Sequence, residues 1–253
     1  MAEGDTILRA ARKLDRALAG KTVRVRAPNP RGRATGVERL DGMIAREVRA
    51  LGKNLVLDFG DLVLHSHLGM NGSWHVYGRG ERWRKPERSA WAVLATEDGV
   101  EAVQFGGPTL RVLGTSALRR DPVLARLGPD VLAPDFDPAA AIRLLRASPT
   151  RELGDVLLDQ GNVAGIGNIF KNEACFAARL DPWRPLGDLT DGELERILRA
   201  ARELMLAAVE TGRHPHNVYR RANWPCLRCG TPIRSRGQGD DNRTTYWCPR
   251  CQA

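Results

Sequence analysis

The chain opens with apolar residues at helical spacing. The stripe recurs at every third or fourth position and consists of Ile7, Ala11, Leu14 and Leu18. Asp5 or Thr6 stands where a helix takes its N-cap, and Gly20 stands where a helix commonly ends. The pattern predicts an amphipathic helix that begins almost at the start of the chain.

From residue 22 to about residue 114 the apolar runs become short, as strands require. They cover residues 22–25, 55–59, 62–65, 91–94 and 102–105. Glycine with Asp or Asn separates them, and such residues are typical of tight turns between strands. We predict a β-rich domain built as a sandwich.

Helical signals replace the strand pattern from about residue 122. Asp137 followed by Pro138 is a favoured helix start, with an acidic cap before proline at the first helical position. Two further helices are predicted over residues 150–160 and 168–179, with a glycine-rich connection between them. Two helices joined by a compact turn are suited to DNA binding.

The last long helix has a clear start signal, because Thr190 and Glu193 stand at the spacing of a capping box. The apolar stripe predicted to be buried in this helix consists of Leu194, Ile197, Leu198, Ala201 and Leu204. Together the patterns predict an α+β fold in three parts. These are a β-sandwich domain over residues 1–118, a helical domain over 122–215 and a C-terminal hairpin over 216–253.

Composition adds a strongly basic balance to this picture. The 253 residues carry a formal net charge of +9, with 34 arginines against 5 lysines. Residues 213–253 hold eight arginines and two aspartates, so this segment carries +6 of the total. Clustered arginines favour a polyanionic partner, with nucleic acid ahead of an acidic membrane surface. A genome rich in guanine and cytosine is the alternative source of the arginine excess.

Nothing in the sequence indicates a membrane protein. No apolar run approaches the roughly 20 residues needed to span a bilayer, and the start lacks a basic region followed by an apolar stretch. We expect a cytoplasmic protein without a membrane partner.

Four of the five cysteines form two CxxC pairs near the end of the chain. The pairs are separated by 18 residues and consist of Cys226, Cys229, Cys248 and Cys251. This spacing predicts one tetrahedral Zn²⁺ site, and four thiolates leave no position for water, so the ion would be structural. Two disulfides or four incidental thiols are the alternative, and a reducing compartment disfavours the disulfides.

The zinc hairpin and its surroundings carry further polar residues. Arg234, Arg236 and Arg243 lie between the two cysteine pairs, where a stiffened hairpin would present them to phosphates. We expect Cys175 to be a core residue, and His214 and His216 to be ordinary surface histidines rather than spare ligands.

Three distant segments resemble the endonuclease VIII/formamidopyrimidine-DNA glycosylase family, in the order and spacing found across the full length of that family. They are His-Leu-Gly-Met-Asn-Gly-Ser-Trp at 67–74, Leu-Asp-Gln at 158–160 continuing to Val-Ala-Gly-Ile-Gly-Asn-Ile-Phe at 163–170, and Asn-Arg-Thr-Thr-Tyr-Trp-Cys-Pro at 242–249. The start, Met-Ala-Glu-Gly-Asp-Thr, is most similar to the endonuclease VIII branch. The resemblance implies an N-terminal β-sandwich, a helix-two-turn-helix (H2TH) domain and a zinc finger, with DNA in the cleft between the domains.

The resemblance also implies a set of catalytic residues. In this family the amine of the residue after the initiator methionine, here Ala2, attacks C1′ of the damaged nucleotide and forms a Schiff base. Glu3 would act as the general acid, Lys53 would contact the phosphate beside the lesion and assist β-elimination, and Arg243 would grip the flanking phosphates and assist δ-elimination. The scheme requires removal of Met1, and position 2 is Ala where the family usually has Pro.

Further matching positions imply contacts with DNA. Met70 would fill the space left by the extruded base, as apolar wedges do. On sequence alone a core position is the alternative for this methionine. Asn168 would hydrogen-bond a backbone phosphate, while Gly165 and Gly167 would let main-chain N–H groups approach it closely.

These features predict a monomeric bifunctional DNA glycosylase and AP lyase that acts on damaged double-stranded DNA, mainly at oxidised pyrimidines. A non-catalytic or weakly catalytic binder of damaged DNA is the first alternative, supported by Ala2 and by Thr6 where many relatives carry a second acidic residue. A purine-directed glycosylase is the second alternative.

Overall fold

The computed structural model describes residues 2–253. They form two compact units. The β unit comprises residue 2 and residues 6–125, and the helical unit comprises residues 3–5 and 126–253. The three-part division at 118 and 215 stays a prediction.

The β unit contains most of the first helix and nine strands. Its elements are α1 (Gly4–Leu18), β1 (Lys21–Arg26), α2 (Pro30–Arg33), β2 (Ile44–Ala45), β3 (Glu47–Leu51), β4 (Asn54–Asp58), β5 (Leu62–His67), β6 (Ser73–Tyr77), β7 (Ala92–Thr96), β8 (Glu101–Phe105), β9 (Thr109–Gly114) and α3 (Thr115–Arg119). Single 3-10 turns cover Val37–Leu40 and Glu87–Ser89. The strands follow the five apolar runs expected from the sequence.

Two antiparallel sheets enclose the core of the β unit. The first has the order β2-β1-β7-β8-β6 and the second the order β3-β4-β5-β9. The buried residues of one cluster come from both sheets and from α1, whose predicted stripe is at most 2% exposed. The apolar stripe thus forms because the helix covers sheet residues that would otherwise meet water. The predicted sandwich is confirmed.

The helical unit carries the remaining elements. They are α4 (Pro138–Leu145), α5 (Leu153–Val156), α6 (Asn168–Ala178), α7 (Asp191–Thr211), β10 (Arg234–Gln238) and β11 (Arg243–Trp247), with a 3-10 turn at Leu186–Asp188. The last two strands pair as an antiparallel hairpin. The α+β class and the order of its parts agree with the sequence prediction.

The starts of α4 and α7 were predicted correctly, whereas the cap expected at Asp5 or Thr6 was wrong, because α1 already begins at Gly4. The Asp137 side chain accepts a hydrogen bond of 2.9 Å from the Ala139 N–H at the start of α4. Thr190 and Glu193 form both hydrogen bonds of the capping box at the start of α7. Each cap satisfies N–H groups that have no partner within the helix.

Two further details of the helical prediction were wrong. The helix expected over residues 150–160 contracts to α5, because Leu158 and Asp159 donate to carbonyls three residues earlier and the α-helical pattern of bonds ends there. In α7, Leu204 is half-buried and Met205 is fully buried instead. The stripe runs at 3.6 residues per turn, so its next member after Ala201 falls four positions later.

Within residues 2–253, no helix combines the length and the apolar character that crossing a bilayer takes.

Candidate functional site

The Ala2 nitrogen lies against the loop that follows β5. Its N–H donates a 3.2 Å hydrogen bond to the Gly69 carbonyl. The Ala2 methyl group packs against the hydrophobic core of the β unit. Two contacts of different kinds therefore fix the position of this nitrogen. Met1 lies outside the described residues.

The same loop, residues 68–72, presents Met70 to solvent. The Gly72 N–H bonds to the Leu68 carbonyl at 2.8 Å, and Gly69 has a positive φ of 57°. A Cβ at Gly72 would lie 2.5 Å from the Leu68 oxygen, so only glycine fits this tight turn. Met70 is 71% exposed. It is therefore not a core residue, which was the alternative reading of its sequence position.

Lys53 lies in the turn between β3 and β4, next to the same loop. Its two-residue turn begins with Gly52, whose positive φ of 56° suits a tight hairpin. Strand pairing places Asn54 opposite His67, the last residue of β5. Burial lowers the pKa of His67, and the positive charge of Lys53 lowers it further. Lys53, Ala2 and Met70 thus gather around one end of β5.

Glu3 belongs to the helical unit and is fully buried. Its carboxylate accepts the Ile169 N–H at 2.8 Å and the Phe170 N–H at 3.3 Å. Both donors lie in the first turn of α6, where the positive end of the helix dipole favours a negative charge. Glu3 therefore joins the start of the chain to α6 as a hydrogen-bond acceptor, and its role as a general acid stays a prediction.

The glycines before α6 make room for this arrangement. A Cβ at Gly167 would lie 2.2 Å from the Glu3 side chain. Gly165 has a φ of +99°, and its carbonyl accepts the Gly4 N–H at 3.0 Å. Contacts within the protein therefore favour glycine at positions 165 and 167, in addition to the close approach to a phosphate that the family resemblance implies.

Polar side chains of α6 hold the zinc hairpin. Asn168 donates to the Thr244 carbonyl at 2.9 Å, and Asn172 accepts the Tyr246 N–H at 2.6 Å. Between them, the Lys171 ammonium donates to the Thr245 hydroxyl. We call these three contacts the α6–β11 seam. The side-chain amide of Asn168, predicted to bind a phosphate, therefore also fixes the hairpin.

Lys171 is an unusual member of this seam because its side chain is fully buried. Burial lowers the pKa of Lys171 from its ordinary value of 10.5 to about 8. The nearby carboxylates of Asp155 and Glu3 act in the opposite direction. The sequence pattern did not single out this residue, since a lone lysine in a helix is normally solvated.

The four cysteines of the CxxC pairs meet at one point of the helical unit. All four sulfur atoms lie within 4.8 Å of one another. The Cys226–Cys251 and Cys229–Cys248 pairs are separated by 3.9 and 3.5 Å between Sγ atoms. Tetrahedral zinc with Zn–S bonds of about 2.3 Å requires sulfur atoms roughly 3.8 Å apart. The donor set fits one structural zinc ion and leaves no position for substrate.

The arginines of the hairpin have different environments. Arg243 begins β11, is exposed, and lies 3.7 Å from the Asp241 carboxylate. Arg236 places its guanidinium 3.8 Å from the centre of the Trp183 ring. Such stacking holds the Arg236 side chain against the protein. Arg243 is therefore better placed than Arg236 to reach a phosphate.

Comparison with known proteins confirms the resemblance. The N-terminal domain of formamidopyrimidine-DNA glycosylase matches residues 1–107, and its H2TH domain matches residues 127–219. A zinc finger found in formamidopyrimidine-DNA glycosylase and isoleucyl-tRNA synthetase matches residues 225–253. The chain belongs to the formamidopyrimidine-DNA glycosylase/endonuclease VIII family.

Individual members of the family cover the whole chain. A probable endonuclease 8 of Streptomyces coelicolor is 43% identical over 100% of this chain and 94% of its own length. A DNA-(apurinic or apyrimidinic site) lyase of Mycolicibacterium smegmatis is 38% identical over 100% of this chain and 99% of its own. The glycosylase structure from Thermus thermophilus is 32% identical with a TM-score of 0.81, covering 99% of this chain and 98% of its own.

A family structure from Lactococcus lactis extends the likeness in fold. It superimposes with a TM-score of 0.83 and covers 99% of both chains at 22% identity. That glycosylase is bound non-covalently to DNA containing an abasic site. The zinc finger of the family supports the assignment of the four cysteines to one zinc ion.

His214 makes a contact that the sequence did not predict. His214 is half-buried, and its ring nitrogen lies 2.9 Å from the carboxylate of the buried Asp5. The expectation of an ordinary surface histidine was wrong for His214 and correct for the exposed His216. The pairing joins residues 209 positions apart, so no local pattern predicted it.

Cys175, expected in the core, is fully buried.

Proposed function

We propose that the protein is a bifunctional DNA glycosylase and AP lyase that removes oxidised bases, mainly pyrimidines, from double-stranded DNA. The observation that carries the proposal is the position of the Ala2 nitrogen. It is hydrogen-bonded to the carbonyl of Gly69, which precedes Met70, in the part of the β unit that also holds Lys53. A nucleophile, a cation for the adjoining phosphate and an apolar plug are thereby grouped in one part of the β unit. This grouping is what attack on an extruded nucleotide needs.

The chemistry starts from the unprotonated amine of Ala2 after loss of Met1. A free α-amine has a pKa of about 7.7 to 8.0, so an appreciable neutral fraction exists at pH 7. The nitrogen bonds to C1′ as the glycosidic bond breaks, and the proton that the attacking amine then releases passes through the Glu3 carboxylate to the departing base. Opening of the sugar gives the Schiff base. Loss of a proton from C2′ then expels the 3′ phosphate, with Lys53 beside the neighbouring phosphate.

Alanine in place of the usual proline is compatible with this scheme. A primary amine forms a Schiff base as a secondary amine does, and the difference lies in positioning. Misplacement of a reacting atom by about 1 Å costs on the order of a hundredfold in rate. The contacts of Ala2 with the core and with Gly69 supply part of the rigidity that a proline ring would bring.

The remaining residues would bind the DNA. We assign the gap left by the extruded base to Met70 and the flanking phosphates to Arg243. The turn of Gly165 and Gly167 and the amide of Asn168 would contact the backbone through hydrogen bonds. The basic segment 213–253 would add the salt-dependent part of the affinity. We further propose that the protein acts as a monomer.

Borohydride trapping on a lesion-containing duplex tests the proposal. We expect a covalent adduct with the mature protein and none with a form that carries extra residues before Ala2. An adduct that persists on the blocked form would exclude the α-amine as nucleophile. Tight binding without any adduct would favour a non-catalytic damage-binding protein, for which Ala2 is the supporting observation.

Lesion preference needs a separate comparison. Duplexes containing thymine glycol and 8-oxoguanine, cut side by side under single-turnover conditions, distinguish the pyrimidine-directed enzyme from the purine-directed alternative. We expect faster cutting of the thymine glycol duplex. The opposite order would assign the protein to purine lesions.

A further inference from the structure

A continuous chain of polar side chains crosses the four-stranded sheet of the β unit. Arg111 of β9 contacts the Asp121 carboxylate at one end and donates from Nε to Nδ1 of His65 at 3.1 Å. His65 Nε2 lies 3.0 Å from the Asn54 side-chain oxygen. Asn54 in turn donates from Nδ2 to the Leu51 carbonyl at 3.2 Å. The chain therefore ends at the hairpin between β3 and β4.

The members of this chain are largely withdrawn from water. Asn54, His65 and Asp121 are at most 6% exposed. Burying such groups costs free energy unless every polar atom finds a partner, and apolar side chains would fill the same space without that cost. Polar groups at these positions do what apolar ones would not, because each hydrogen bond fixes the orientation of the next group.

The donor and acceptor in each hydrogen bond of this chain of side chains can be assigned from Arg111. The guanidinium of Arg111 only donates, so Nδ1 of His65 must accept and the proton of the neutral ring must sit on Nε2. That proton is donated to the Asn54 oxygen, which turns the Asn54 amide nitrogen toward Leu51. Burial and the Arg111 charge lower the pKa of His65 to about 4, in agreement with a neutral ring.

The end of the chain is the turn that carries Lys53. Leu51 and Asn54 are the paired residues that flank the two-residue turn of Gly52 and Lys53. The side-chain bond from Asn54 to the Leu51 carbonyl therefore braces the base of that turn. Movement of Asn54 would move its neighbour Lys53 directly.

We infer that His65 is a positioning residue for strand cleavage, which holds the Lys53 turn in place through Asn54 and takes its own orientation from Arg111. The inference rests on the proposed function of Lys53 beside the phosphate. It assigns a part in the reaction to a buried histidine whose ring nitrogens contact Arg111 and Asn54.

Single-turnover nicking of a duplex with a preformed abasic site measures the effect. We expect His65→Leu to slow nicking about tenfold, because both ring hydrogen bonds are lost. His65→Gln should recover most of the rate, since its amide can donate to Asn54. His75→Leu is the matched control: this histidine lies on β6 of the other sheet and contacts Ser73 instead, and its loss should leave nicking unchanged.

A double-mutant cycle with Lys53→Ala separates positioning from general stability. If His65 acts through Lys53, His65→Leu should change the rate less than twofold once Lys53 is absent. The same tenfold loss in both backgrounds would overturn the inference and leave the proposed function intact. A wild type that nicks and a Lys53→Ala variant that nicks equally fast would overturn both the role of Lys53 and the inference.

Arg111→Met provides a second variant that keeps the histidine in place. Without the Arg111 donor, His65 is free to carry its proton on either nitrogen, so we expect nicking between the wild-type and His65→Leu rates. Nitrogen chemical shifts of the ring should report the Nε2–H form in the wild type and a mixture in the variant. A pure Nε2–H form and an unchanged nicking rate in Arg111→Met would contradict the proposed direction of the chain.

Discussion

The methyl group of Ala2 is small, yet it is the part of the residue that touches the core of the β unit. Ala2→Gly removes this contact and gives the backbone at position 2 more freedom. We expect borohydride trapping to become about tenfold slower, while Ala2→Pro should trap at least as fast as the wild type because the ring holds the nitrogen in a fixed position relative to Cα. Equal trapping by the glycine variant would show that the hydrogen bond to Gly69 alone places the nitrogen.

Gly167 is the second position where one carbon atom decides the outcome. In Gly167→Ala the new Cβ would lie 2.2 Å from the Glu3 side chain, so the carboxylate must leave the first turn of α6. We expect base excision to fall on the order of a hundredfold, with zinc content close to that of the wild type and a lower unfolding temperature, because the buried carboxylate loses its bonds to Ile169 and Phe170.

Gly192→Ala is the matched control for this substitution. Gly192 also lies near the start of a helix, but a Cβ there meets nothing within 4 Å. Excision by this variant should match the wild type. Wild-type excision by Gly167→Ala as well would mean that the Glu3 contact with α6 has no part in the reaction.

At the level of helices and strands, local patterns predicted what local forces determine. The stripe of α1, the Asp137 cap and the capping box at Thr190 are set by residues within a few positions of one another, and all three are present. The α6–β11 seam is different in kind. Lys171 and Thr245 are 74 positions apart, so no window of sequence could pair them.

The seam predicts an unusual response of stability to pH. Because the pKa of Lys171 is lowered to about 8 in the folded protein, the unfolded chain binds a proton that the folded protein has lost between about pH 8 and 10.5. Titration of Lys171 therefore raises the free energy of unfolding as pH rises through that window, by up to about 3 kcal/mol. Below pH 8 the cost of burying the charge is present in full.

Urea unfolding of the wild type and of Lys171→Met at pH 7.5 and pH 10 measures this contribution. The methionine keeps the apolar stem, and the Thr245 hydroxyl retains its 2.7 Å bond to Gln238. We expect the wild type to gain stability relative to the variant between the two pH values, since other titrating groups are common to both proteins. A constant difference would mean that Lys171 keeps its proton throughout.

For the whole molecule, the sequence predicted the fold and the zinc site better than the catalytic geometry. Two CxxC pairs define their own ligand set, because zinc chemistry leaves few alternatives for four cysteines at that spacing. The roles of Ala2, Glu3 and Lys53 came from family resemblance alone. No periodicity marks a nucleophile at position 2, and the contact of Glu3 with Ile169 spans 166 positions.

Loss of the zinc site tests how the helical unit contributes to DNA binding, because all four cysteines lie in that unit. Cys248 is fully buried in a cluster with Phe176, Val218 and Ile233, so loss of the metal should loosen the packing around the hairpin that carries Arg243. In Cys248→Ser we expect zinc release, weaker DNA binding and a shallower dependence of affinity on salt, since fewer arginines would contact phosphates. Hydrogen exchange should become faster across residues 226–251 and stay unchanged in the β unit.

Cys175→Ser is the matched control, since Cys175 is equally buried but lies outside the four-cysteine cluster. This variant should keep its zinc, its salt dependence and its protection from exchange around the hairpin. Undiminished DNA affinity in zinc-free Cys248→Ser would contradict the assignment of Arg243 and its neighbours to phosphate binding. Faster exchange in β4 and β5 of that variant would instead show that the zinc site also supports the β unit, and any loss of nicking would then not report on the hairpin alone.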